Sequence, residues 1–219
     1  MHVWNAVIER DAQTGVSMKR IFGTVAVAIL FGCGGGGKFV SPVGDLAMPA
    51  QMDAAVSPDM AVIPHRRVFV TSTKFDGSFG GLSGADSACM TAAASVNLGG
   101  QWIAWLSDSH TSAKDRIADV GPWGTSKGIA FNNQAGIAAG PLIPVDEDER
   151  GRSLRDSFVW TGTAASGKVD FYNTCRDWTT VNVNDYGRSG LVGATNSDWT
   201  ARDRTSCVTS NGHLYCFEQ

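Results

Sequence analysis

The last eight residues, GHLYCFEQ (212–219), decide how the rest of the chain is read. From His213 the run alternates, so Leu214 and Cys216 share one face of a strand while Tyr215 and Phe217 take the other. A cysteine so close to the end raises the question of what it holds. Cys89 stands in SGADSACMTAAASVN (83–97), where Ala85, Ala88, Cys89, Ala92, Ala93 and Val96 recur at helical spacing. Ser83 is the expected cap of that helix, with Asp86 in its first turn, and Cys89 falls on the buried face. Strands are expected at VFVTST (68–73), QWIAWLSD (101–108) and SFVWTGT (157–163), the last running into the turn AASGK (164–168). TSAKDRIAD (111–119) reads as a second short helix capped by Thr111 or Ser112. Short helices, short antiparallel strands and long loops make an α+β domain.

The chain has 219 residues and 43% hydrophobic content, enough for one ordinary core plus extensions. Its net charge of -3, with Lys and Arg scattered, offers no polycationic surface, so nucleic acid is not an expected partner. Residues 1–17 carry charges without periodicity and read as an extension or an over-long start. Residues 18–32 open with Lys19 and Arg20 and continue into an apolar run too short to span a bilayer, the pattern of an export signal. The tetrad Leu30-Phe31-Gly32-Cys33 resembles a bacterial lipobox, which implies a lipid on Cys33 and a membrane anchor through it. Residues 33–65, rich in Gly, Pro and Ala, read as a flexible tether with a reach of about 30 Å. Gly34 after the lipobox cysteine favours the outer membrane, with the cell surface open to it. The folded domain is expected over 66–219.

An exported domain lies where disulfides persist, so the four cysteines after Cys33 are expected to form two bridges. The sequence by itself leaves three pairings open. It has no Cys-x-x-Cys, and His213 is the one histidine near a cysteine, which makes a zinc site the weaker reading.

Five segments in register resemble the endostatin domain, a branch of the C-type lectin-like fold, and in particular the endostatin-like lipoproteins of spirochaetes. They are GGLSGADSACMTAAASVNLGGQWIAWLSDS (80–109), SFVWTGTAASGK (157–168), TCRDWTT (174–180), GRSGLVG (187–193) and SCVTSNGHLYCFEQ (206–219). The resemblance implies nested bridges, Cys89 with Cys216 and Cys175 with Cys207. It implies a surface module that contacts extracellular protein or glycan ligands. The tripeptides that ligate calcium in sugar-binding relatives, Glu-Pro-Asn, Gln-Pro-Asp and Trp-Asn-Asp, do not occur, and no metal or cofactor is carried across. The acidic run Asp146-Glu147-Asp148-Glu149 reads as a solvated loop, because like charges repel without a fixed ion. Endostatin also binds heparin through arginines. Here Arg176, Arg188, Arg202 and Arg204 are interleaved with Asp177, Asp198 and Asp203, which reads as neutralised surface pairs.

The expected ligand-facing surface is the loop region running through NTCRDWTTVNVNDYGRSG (173–190) and GATNSDWTARDRTSC (193–207). Asn173, Arg176, Asp177, Trp178, Asn184, Asp185, Tyr186, Asp198, Trp199 and Arg202 combine flat apolar faces with hydrogen-bonding groups, as recognition surfaces do. The competing reading of Trp178 and Trp199 makes them core plugs beside the second bridge. Catalysis is not expected: Asp108-Ser109-His110 has the composition of a relay, but neighbours on an extended segment point opposite ways. The remaining alternatives are a calcium-independent carbohydrate-binding module and a structural periplasmic lipoprotein.

Overall fold

The computed structural model describes residues 64–219. The expected signal (18–32), the lipid site Cys33 and all but the last two residues of the tether lie outside the described residues. The described chain is an α+β domain with short helices, two sheets and two disulfides, Cys89–Cys216 and Cys175–Cys207.

The larger sheet joins β1 (Arg66–Val70), β2 (Trp102–Ala104), β3 (Trp123–Thr125), β4 (Gly128–Phe131) and β8 (Tyr215–Glu218) in the order β2-β8-β1-β3-β4. The smaller is antiparallel and joins β5 (Phe158–Trp160), β6 (Tyr186–Leu191) and β7 (Asp203–Ser206). The helices are α1 (Gly81–Ala94), α2 (Ala113–Arg116), α3 (Gln134–Ile137), α4 (Cys175–Trp178) and α5 (Asp198–Ala201). The strands were expected to be antiparallel, but β1 and β3 run parallel, with Arg66 opposite Trp123.

The closing strand explains the two cores. β8 pairs with β1 on one side and β2 on the other, Cys216 standing opposite Phe69 and Ala104. Because successive side chains leave a strand on opposite faces, Leu214 and Cys216 enter one cluster with Phe69, Cys89, Trp102 and Trp178. Tyr215 and Phe217 enter the other, with Trp105, Trp123, Phe131 and Trp199. Burying a side chain such as Phe217 stabilises by about 1.5–3 kcal/mol, so the alternation is worth most when both faces are covered.

α1 follows the expected face, with Ala85, Cys89 and Ala93 buried. Its start does not follow the expectation. The N-cap is Gly80, left-handed at φ 90°, and Ser83 lies one turn in with its hydroxyl 3.4 Å from the Gly80 carbonyl. It stops before Asn97, whose φ of 59° is the left-handed turn that closes many helices. α2 is capped in position by Ser112, although its hydroxyl accepts from the Val169 amide (3.3 Å) and not from the helix.

The strands are shorter than periodicity suggested, for identifiable reasons. β1 ends at Val70 because the Thr71 hydroxyl accepts the Leu214 amide (3.0 Å) and donates to the Thr73 carbonyl (2.9 Å). The segment 101–108 leaves the first sheet after Ala104: the Trp105 amide still donates to Tyr215, but the Ser107 amide donates to Thr161, so the segment passes between sheets. β2 is an edge strand, and side chains blunt it. Asp86 accepts from the Ala104 amide (2.9 Å), and Arg116, paired with both Asp86 oxygens, donates to the Ala104 carbonyl (2.8 Å).

The acidic run is not a solvated loop. Glu147, Asp148 and Glu149 are buried, and each is supplied with donors. Glu147 accepts from the amide and hydroxyl of Ser126, and Glu149 from the amide and hydroxyl of Ser72 and from Arg150. Burial works against ionisation of Asp148, but the amides of Arg152 and Arg150 and the Arg152 guanidinium outweigh it and hold the carboxyl below its ordinary range. Local donors replace the water that the like charges were expected to need.

Candidate functional site

The site is built on α4, which is a single turn of the wrong hand. Cys175, Arg176, Asp177 and Trp178 have φ of 48°, 49°, 56° and 64°. For residues with a Cβ each such step costs about 1–2 kcal/mol, so the turn holds about 4–8 kcal/mol of strain. Contacts on every side keep it in place. Cys175 is bonded to Cys207. Trp178 is completely buried, stacked on Phe79 at 5.2 Å, edge-on to Trp160 at 5.8 Å, and its indole donates to the Ser107 carbonyl at 2.8 Å. Asp177 accepts from the Ser109 amide (2.7 Å), the Ser109 hydroxyl (2.8 Å) and the Thr174 hydroxyl (3.3 Å). Burial opposes its ionisation, but these bonds prevail and hold the carboxyl below the ordinary range. Two glycines let the chain close around the inner bridge: a Cβ on Gly77 would lie 2.6 Å from the Cys175 sulfur, and one on Gly187 2.9 Å from it.

Just before α4, residues 170–173 form a tight turn in which the Asn173 amide donates to the Asp170 carbonyl at 2.9 Å. Its tip carries Phe171 and Tyr172, 65% and 90% exposed. The base is anchored below them. Asp170 accepts from Arg188 (2.7 Å) and from the Asn173 side-chain amide (2.8 Å), while Asn173 Oδ1 accepts from the Nε of Arg204 (2.7 Å). The Arg204 guanidinium lies over the Tyr186 ring, 4.6 Å from its centroid. Between this aromatic turn and α4 opens a depression of about 410 Å³.

Of the residues expected on a ligand-facing surface, Arg176, Asp177, Asn184, Asp185 and Tyr186 line this depression. Asn173 does not: it is buried beneath the turn and serves to orient it. Trp178 and Trp199 follow the core-plug alternative and not the ligand-facing one. Both are 0% exposed and plug opposite cores, as all six tryptophans among the described residues are buried. Amphipathic rings in a polar loop are drawn inside when two sheets need filling. Asp198 and Arg202 belong to α5 and its end, outside the depression, where Arg202 pairs with Asp203 at 3.3 Å. The other arginines are satisfied differently than their spacing suggested: Arg176 meets Asp185 (2.9 Å), Arg188 meets Asp170, and Arg204 makes no ion pair among the described residues.

Phe171, Tyr172, Ser109, Thr174 and Arg204 also line the site and were not among the residues expected on a ligand-facing surface. The signal was present for the first two. Adjacent aromatics between Asp170 and Asn173, both turn-forming residues, mark an exposed tip and not a strand.

Ser109 and His110 do meet, against the expectation from an extended segment: the Ser109 hydroxyl lies 2.8 Å from His110 Nδ1. The residues form a turn, with the Asp108 carboxylate accepting the amides of His110 and Thr111. The order of contacts is not that of a relay, because the Asp177 carboxylate binds the serine hydroxyl, where a relay would have it on the histidine. Among the described residues, no three His, Cys, Asp or Glu side chains are grouped to hold a metal ion. Neither a scan of protein-family models nor a search of curated proteins finds a match to this chain.

Proposed function

We propose that this chain is an exported bacterial lipoprotein, anchored in the outer membrane through Cys33, that presents an endostatin-like domain of the C-type lectin-like fold as a non-catalytic recognition module for extracellular protein or glycan ligands. The observation that carries the recognition reading is the exposed aromatic tip beside a strained turn. Exposed Phe171 and Tyr172 stand on a base tied by Asp170, Asn173, Arg188 and Arg204. A turn whose base is already tied in the free protein leaves less loop ordering to be done when it binds. Non-glycine residues held at positive φ cluster where geometry serves a function. The two bridges support export, since disulfides persist in oxidising compartments.

The test is an array of glycans and extracellular-matrix proteins probed with the purified full chain, with calcium and with chelator. Binding that Tyr172→Ala abolishes is the expected result. Binding that Tyr172→Ala and Arg176→Ala both leave unchanged would place recognition elsewhere on the domain. A Cys33→Ser protein that still partitions with membranes would count against the lipid anchor.

A further inference from the structure

We infer that the depression between the aromatic tip and α4 takes a short protein segment in which an acidic side chain stands beside an apolar or aromatic one. This rests on the recognition reading and names the ligand class for the same site. The hydrogen-bonding capacity that the fold has left unused decides which ligand fits. The Asp177 carboxylate is occupied by Ser109 and Thr174, and Asp185 by the Nε of Arg176 (2.9 Å) and the Thr180 hydroxyl (3.3 Å). Each carboxylate thus already carries at least two donors from the fold. Arg204 uses its Nε on Asn173 and its face on Tyr186, which leaves both Nη groups to donate. Arg176 is paired through Nε and its side chain is 70% exposed. The site therefore has surplus donors in the planar fork that matches a carboxylate.

Apolar surface adjoins these donors. Phe171 and Tyr172 line the depression and are exposed, and aromatic residues with arginine are the types that dominate protein-recognition energetics. A polyanionic chain fits less well. From Arg66 onward the sequence has 14 Lys and Arg against 16 Asp and Glu, and Asp177 and Asp185 stand inside the same depression, where they repel closely spaced sulfates or phosphates. A neutral sugar would stack on the rings but leave the guanidinium donors without a charged partner. One carboxylate flanked by apolar groups satisfies both halves of the site.

The test uses the purified full chain on an array of hexapeptides carrying every pair of natural residues at the two central positions between Gly-Ser flanks, with heparin hexasaccharide and cellohexaose as further spots. Signal is expected on pairs that join Asp or Glu to Phe, Tyr, Trp or Leu. Arg204→Gln should lower it by about tenfold or more, while Arg155→Gln, outside the depression, should not. Because Arg204 also anchors the turn, Tyr172→Ala provides a second variant, at a side chain too exposed to support the fold, and the same loss is expected. Peptide signal without acidic preference, or acidic signal that survives both variants, overturns the assignment. Signal on heparin or cellohexaose alone, lost in Tyr172→Ala, overturns it too but leaves the recognition reading standing. Silence on every spot overturns both.

Discussion

Consider the protein with Cys175→Ser and Cys207→Ser together. The bridge closes a sequence separation of 32 residues, for which chain entropy gives about 3.5 kcal/mol of stability. A second effect is local. Opening residues 174–179 sacrifices the burial of Trp178, about 3–5 kcal/mol by analogy with deleting a core tryptophan, and returns the strain of four left-handed residues, about 4–8 kcal/mol. In the wild type the tie to Cys207 blocks that exchange. Without it the two nearly cancel once the hydrogen bonds to Asp177 are counted, so α4 opens readily on a domain that the Cys89–Cys216 bridge still closes. Urea denaturation should then show a loss of about 3.5 kcal/mol. Hydrogen exchange should show the Trp178 amide, bonded to Thr174 at 2.8 Å, losing protection well beyond the amides of β8. A variant within about 1 kcal/mol of wild type would refute the entropy argument. Equal losses at α4 and β8 would refute the claim that the bridge restrains stored strain.

The two tryptophans that face each other at 5.1 Å provide a matched comparison: Trp105 donates to the Thr200 hydroxyl (2.8 Å), whereas the Trp199 indole N–H is buried without a partner. Trp199→Phe is therefore expected to cost about 1 kcal/mol less than Trp105→Phe in urea titrations, and equal costs would mean that the unpaired donor carries no penalty. His213 is buried with Nδ1 against the Thr71 carbonyl, and burial, assisted by Lys74, holds its imidazole below the ordinary value despite the opposing pull of Thr71, Thr73 and Glu149. The unfolded chain takes up this proton near pH ~6.5, before the folded one does, so stability should fall as pH drops below that point and level off from this source once the folded imidazole protonates. Stability curves against pH should be flatter for His213→Gln, and identical slopes would rule His213 out. Arg116→Ala strips a bidentate partner from Asp86 and donors from two carbonyls, and should cost about 2–4 kcal/mol by the same titration; a neutral result would mean that water replaces the clamp on the β2 edge.

How much of this was legible depended on the range of the interaction involved. The two-faced alternation of 214–217 and the buried stripe of α1 are local patterns, and both survive folding with their faces intact. The pairing of cysteines is not local. Spacing left it open, and it came into view through the resemblance of five separated segments. Helix and strand ends were misjudged wherever a side chain competed with the ladder, as at Thr71, or where one segment served two sheets, as at 101–108. α4 had no signal at all: nothing in Cys-Arg-Asp-Trp prefers positive φ, and the conformation is imposed by a bridge and a ring that are fixed from outside. The acidic run was misread for a related reason, since its donors at Ser72 and Ser126 are distant in sequence.

In the proposed recognition module the same imposed geometry would link stability to binding. Trp178 and Cys175 point inward and hold α4 in a conformation its sequence does not favour, and the residues between them, Arg176 and Asp177, are thereby turned to the depression. A relaxed right-handed turn would cost less but would direct these side chains differently relative to the aromatic tip. Asn173 joins the two parts, since it anchors that tip through Asp170 and positions Arg204 through its Oδ1. Its burial, which removes it from the list of ligand contacts, is therefore what gives it influence over the site. The inner bridge, the inverted turn and the aromatic tip form one mechanical unit, in which the groups that never meet a ligand determine how precisely the exposed ones can.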